Sequence, residues 1–167
     1  MKSTLFSMIA LAALLSAPSI SLAAQQQSPV TTNVREGNYI FTLSKNVTRQ
    51  PVTFKNRYGI TLAADLYMPK NYDAKRKYPA LIIGSPYGGV KEQGAGIYAQ
   101  NMAERGFITL AFDASNNGYS GGETRHLSSP DLFVEDFSAS VDYMGTRPFI
   151  DRNRIGSSAC AAAVVLP

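Results

Sequence analysis

Tyr78-Pro79-Ala80-Leu81-Ile82-Ile83-Gly84-Ser85-Pro86-Tyr87-Gly88-Gly89 is the stretch that decides the fold class. It opens with a continuous apolar run, the pattern of a strand buried on both faces, and runs into a Gly- and Pro-rich loop. A second run of the same kind follows at Phe107-Ile108-Thr109-Leu110-Ala111-Phe112-Asp113. Between them Glu92 to Arg105 has helical character, and Gly106 stands where a helix C-terminus favours glycine. Strand, helix and strand at this spacing make a right-handed βαβ unit. The expected class is α/β.

Working outward, a second helix is signed by Ser129 as N-cap, Pro130 at the first position, and Asp131 and Glu135 near its positive end. Phe133, Phe137, Val141 and Met144 repeat at threes and fours and are expected to face the sheet, with Gly145 ending the helix. Phe149-Ile150-Asp151-Arg152-Asn153-Arg154-Ile155-Gly156 begins a third strand of that sheet. Upstream, Val52-Thr53-Phe54 and Ile60 to Tyr67 alternate like the arms of a hairpin turning at Gly59, ended by Met68-Pro69. Tyr39 to Leu43 reads as a further short strand.

The N-terminus reads as an export signal. Met1-Lys2 supplies the positive start, Leu5 to Leu15 is an apolar run too short to span a bilayer comfortably, and Ser21-Leu22-Ala23 fits a signal-peptidase site. The expected organisation is a signal peptide over 1–23, a polar leader over 24–37, a partial domain over 38–156 and an anomalous tail over 157–167. The destination is the periplasm or the cell exterior. Formal charge is only +4, and the cluster Lys70, Lys75, Arg76 and Lys77 reads as a solvated loop, so nucleic acid is not an expected partner. Cys160 is the single cysteine and His126 the single histidine, which leaves no metal-ligand cluster. Asp131, Glu135, Asp136 and Asp142 are expected to be ordinary solvated or dipole-complementing helix charges.

The strand and loop over 78–89, the second strand to Asp113 and the Arg154-Ile155-Gly156 strand opening together resemble the front half of an α/β-hydrolase. The likeness is to secreted bacterial relatives of dienelactone hydrolase and of the Xaa-Pro dipeptidyl-peptidase (S15) family. The resemblance implies a serine hydrolase acting on a small-molecule ester or peptide, with no cofactor. It implies that Tyr87 contributes to the oxyanion hole, through its hydroxyl or a backbone N–H. It also implies a nucleophile elbow directly after the strand begun by Ile155, followed by the acid and the histidine. Here Ser157-Ser158-Ala159-Cys160-Ala161-Ala162-Ala163-Val164-Val165-Leu166-Pro167 follows instead. The expectation is therefore an N-terminal fragment without nucleophile, acid or base, and inactive as given. With suitably chosen codons, a one-base shift after Gly156 turns this tail into Val-Leu-Gly-Met-Cys-Gly-Ser-Gly-Gly-Phe-Ala-Leu. That is an elbow, and a single-base deletion is the account it suggests.

Two motif matches compete. Gly118-Tyr119-Ser120-Gly121-Gly122 satisfies G-x-S-x-G, with His126 nearby. However, Ser120 stands several residues beyond the strand end and well before the next helix, where no strained elbow can expose its hydroxyl. Gly94-Ala95-Gly96-Ile97-Tyr98-Ala99 matches a dinucleotide fingerprint with Asp113 as the ribose acid, the mark of an oxidoreductase fragment. Its first glycine lies too far from the end of the strand at Gly84. A small cell-envelope binding or structural module is the remaining alternative, and oligomeric state is left open. Loss of everything after Gly156 is expected to leave Leu81, Ile82 and Ile83 on an exposed apolar edge, prone to aggregation.

Overall fold

The structure is a computed structural model and describes residues 38–159. The segments expected to be a signal peptide and a leader, Cys160 and the tail beyond it lie outside the described residues. The elements run β1 (Val47–Lys55), β2 (Thr61–Pro69), β3 (Tyr78–Gly84), α1 (Gly94–Glu104), β4 (Ile108–Phe112), α2 (Pro130–Gly145) and β5 (Ile150–Ala159). They form one sheet in the order β1-β2-β4-β3-β5. β1 and β2 pair antiparallel, β2 and β4 antiparallel, and β4, β3 and β5 run parallel. The α/β class, the hairpin, the βαβ unit and both helices stand as the sequence implies.

The two faces of the sheet differ in what covers them. On one side α1 sets Ala95, Ala99 and Ala103 against Tyr67, Ile83 and Ala111. Three alanines at helical spacing let the helix axis approach closely, so their smallness fixes the layer distance. On the other side Phe137, Tyr143 and Met144 of α2 pack over Leu66, Ile82, Leu110 and Ile150. Neighbouring strand residues such as Ile82 and Ile83 serve opposite faces, both fully buried. This is why the run reads as unbroken apolar sequence.

Three expectations need correcting. Tyr39 to Leu43 is not a strand but an extended strap across α1. Ile40 N–H donates to the carbonyl of Glu92, and Ser44 N–H to the side chain of Gln100. Phe41 and Leu43 point into the α1 layer, which gives the period of two, but a helix surface offers no ladder to pair with. Second, Val141 is 38% exposed, and the inner face of α2 carries Asp136 and Ser140 instead, both fully buried. Third, Leu81, Ile82 and Ile83 are not at an edge. β5 continues past Gly156 to Ala159 and pairs Ile82 with Ser157, Ile83 with Ser158 and Gly84 with Ala159. A backbone ladder is indifferent to small side chains, so Ser157 to Ala159 extend it readily.

Candidate active site

The site is built on the carboxyl ends of the parallel strands. β3 is joined to β4 through α1 on one face, and β4 returns across β3 to β5 through α2 on the other. The strand order reverses at β3, the position where open α/β sheets hold their ligands. A cleft of about 250 Å3 lies there, between the loop Ser85–Gly89, Phe112 at the end of β4, Asn117 beyond it, Phe133 and Phe137 of α2, and Ala159 at the end of β5. Its walls are largely apolar, with Tyr87, Phe112, Phe133 and Phe137 as the aromatic members. Phe137 packs edge-on against Phe112 and lies so close to Gly84 that a Cβ there would collide with the ring.

Tyr87 rides on the loop at the rim. A tight turn holds it, closed by Gly89 N–H donating to Pro86 O at 2.8 Å, and its side chain is 62% exposed. The Tyr87 hydroxyl donates to the carbonyl of His126 at 3.4 Å. His126 itself is exposed, and its backbone N–H is bonded to Asn116 O. The structure therefore brings Tyr87 and His126 together through a main-chain carbonyl and not through the imidazole. Ser85, in the same loop as Tyr87, has a buried hydroxyl with no partner among the described residues.

Ser120 sits elsewhere, and its hydroxyl is fully engaged. It donates to Asp113 O at 2.6 Å and accepts from Ala63 N–H at 2.9 Å, with the residue 2% exposed. Both capacities of the oxygen are used inside the protein, stapling the loop after β4 back onto β2. The fingerprint residues Gly94 to Ala99 lie within α1, where Gly96 is pressed against Phe41 and the carbonyl of Lys91. Asp113 is wholly buried and bound to protein donors. Asp113, the expected ribose acid, is therefore not open to a nucleotide in this arrangement.

The residues that sequence reasoning missed are buried carboxylates and one lysine. Asp113 accepts from Lys91 N–H at 2.7 Å, from Tyr119 N–H at 2.9 Å and from Lys91 Nζ at 3.3 Å. Burial works against the Lys91 charge, but the carboxylates of Asp113 and Glu92 outweigh it and hold its pKa above the ordinary lysine value. Asp136 accepts from Ser115 N–H and Oγ at 2.7 Å each and from Asn56 Nδ2 at 2.9 Å. Glu135 pairs with Arg57. Asp136 and Glu135 are thus structural hubs, not the ordinary helix charges expected, because α2 turns them toward the β1–β2 turn. One signal was available: position 136 lies one turn from Phe133 and from Ser140, on the helix face that Phe137 marks as internal. Burial raises the Asp136 pKa despite these donors. Among the described residues no group of three or more metal-binding side chains is gathered.

With this geometry in place, the likeness to known proteins can be stated. The model of the X-Pro dipeptidyl-peptidase (S15) family matches residues 58–153. An uncharacterized protein of Pseudomonas aeruginosa, PA2218, is 57% identical over 122 residues, covering 73% of this chain and 33% of that protein. Its crystal structure superposes with a TM-score of 0.69 over 72% of this chain and 37% of its own. A thiohydrolase of Eupenicillium brefeldianum is 30% identical over 107 residues, 64% of this chain and 33% of the fungal one. The α/β hydrolase GrgF from Penicillium sp. sh18 shares the fold at 24% identity, with a TM-score of 0.60 over 67% of this chain and 37% of GrgF. The chain spans about a third of the length of the curated relatives it matches. It belongs to the X-Pro dipeptidyl-peptidase (S15) family, and its described residues form the N-terminal part of an α/β-hydrolase fold.

Proposed function

We propose that this chain supplies the N-terminal part of the catalytic domain of an exported serine hydrolase that cleaves small ester, thioester or peptide substrates, and that the chain by itself is inactive. The observation carrying this reading is the meeting of the Ser85–Gly89 loop with Ala159, over the carboxyl ends of β3 and β5. A nucleophile following Ala159 would stand beside Tyr87 across an apolar cleft. Among the described residues no serine occupies a strand-to-helix elbow, and Ser120 is consumed by structural bonds. The relative named as a thiohydrolase supports acyl-bond hydrolysis as the reaction class. Export rests on the pattern of Met1 to Ala23.

In this reading Tyr87 stabilises the oxyanion that forms when the nucleophile adds to the acyl carbon. Its hydroxyl, held only at 3.4 Å by His126 O, is free to swing to the substrate. Its backbone N–H has no acceptor among the described residues and is the other candidate. The test is a chimera joining residues 1–159 to the remaining two-thirds or so of the Pseudomonas relative. If that relative reacts with a fluorophosphonate probe, the folded chimera should react too, and the 167-residue chain should not. A folded chimera that stays unlabelled beside a labelled parent refutes the reading.

A further inference from the structure

Asp113 joins two loops at their buried ends. Its carboxylate accepts from both the backbone N–H and the Nζ of Lys91, at the rear of the loop that carries Tyr87. The same carboxylate accepts from Tyr119 N–H, in the loop after β4, and Asp113 O receives the Ser120 hydroxyl. The Tyr119 ring covers the ammonium of Lys91 at 4.5 Å, closing the junction. At its far end the second loop returns to the first, where His126 O receives the Tyr87 hydroxyl. Asp113 and Lys91 are shut away from water, at 0% and 1% exposure.

Gly118 shows how tightly this is made. It has a φ of +50°, and a Cβ there would fall inside the van der Waals shell of the Asp113 carboxylate. The turn Gly118-Tyr119 closes around the acid, which leaves no room for a side chain. Meanwhile the Tyr87 turn has only one internal hydrogen bond, from Gly89 to Pro86. Its position over the cleft must come from its ends. The front end is fixed by β3 and the rear end by Lys91 on Asp113.

We infer that Asp113 is a positioning residue: one buried carboxylate sets the Tyr87 loop and the His126 loop in register, and so fixes Tyr87 over the cleft. This rests on the proposed role of Tyr87, but its test needs no turnover, so its failure leaves the hydrolase reading standing and the converse also holds.

The test uses the full chain labelled with 3-fluorotyrosine. The fluorine resonance lost in Tyr87→Phe identifies Tyr87 among the nine tyrosines. Asp113→Asn turns an amide N–H toward the donors of Tyr119 or Lys91. It should broaden the Tyr87 resonance and move it toward that of free fluorotyrosine, while the chain still melts cooperatively. Met144→Ala, a core change under α2, should leave that resonance in place. An unmoved resonance in folded Asp113→Asn, or an equal shift in Met144→Ala, overturns the inference. Should Asp113→Asn not fold, amide exchange in the unmodified chain decides. The Gly89 amide, bonded to Pro86 O in the Tyr87 turn, should open with the same free energy as the Lys91 and Tyr119 amides, as one unit. Opening of Gly89 well below that of Lys91 would overturn it equally.

Discussion

The hydroxyl of Ser120 lies 2.6 Å from the carbonyl oxygen of Asp113 and donates to it, while accepting from Ala63 across the sheet end. A serine held this way is 2% exposed, has its hydrogen committed to Asp113 O and has no base bonded to it among the described residues, and its pairing turns a G-x-S-x-G match into a loop staple. The Asp113-to-Gly122 segment is organised by such contacts throughout. Asn116 N–H bonds to Gly121 O, Gly121 N–H to Thr61 O, and the Arg125 guanidinium reaches the carbonyls of Gly118 and Ser120.

Ser120→Ala should therefore leave probe labelling of the chimera unchanged. It strands two buried backbone groups, Ala63 N–H and Asp113 O, and should lower stability by about 1–3 kcal/mol. Chemical denaturation of the full chain and gel-based labelling of the chimera check the two halves. Abolished labelling in a folded Ser120→Ala chimera would restore it as the nucleophile.

Tyr87→Phe in the same chimera separates the two oxyanion donors. If the hydroxyl is the donor, kcat should fall on the order of a hundredfold. If the backbone N–H serves, the rate should hardly change, since Phe keeps the main chain. Stability should be unaltered either way, because the ring is exposed.

Asp136→Ala should be among the most damaging single changes outside the apolar core. It leaves Ser115 N–H, Ser115 Oγ and Asn56 Nδ2 without their acceptor and unties α2 from the β1–β2 turn. The expected loss is on the order of 3 kcal/mol, with Asp136→Asn intermediate. Denaturant midpoints at constant slope would show it.

Asp65 gives a pH signature. Burial raises its pKa above the ordinary 3.8, although Tyr39 donates to Oδ2 at 2.7 Å, and Oδ1 is buried without a partner. The folded state thus holds its proton more tightly than the unfolded chain. The resulting stability is fully present below the unfolded value and is lost as pH rises through the folded one. Asp65→Asn should be at least as stable as the unmodified chain at pH 7 and show a flatter stability profile between pH 4 and neutrality. Thermal melts across that range test it, and a steeper profile in Asp65→Asn would contradict the assignment.

Much of the fold was legible because it depends on local pattern. The unbroken run Ala80 to Gly84, the Ser129-Pro130 start of α2 and the turn at Gly59 each carry their own physical signal, and all three stand in the structure. Tyr87 was singled out only by resemblance, and the contact of its hydroxyl with His126 O was not legible at all. Tertiary structure decided whatever depended on a partner distant in sequence. Tyr39 to Leu43 has a strand's alternation but met a helix instead of a strand edge, so it became a strap. Asp113, Glu135 and Asp136 carry the same charge as any surface acid, and only the approach of Lys91, Arg57 and Ser115 made them buried hubs. Hydrophobic period fixes which face of an element turns inward, whereas a buried charge is settled by the donors the folded chain brings to it.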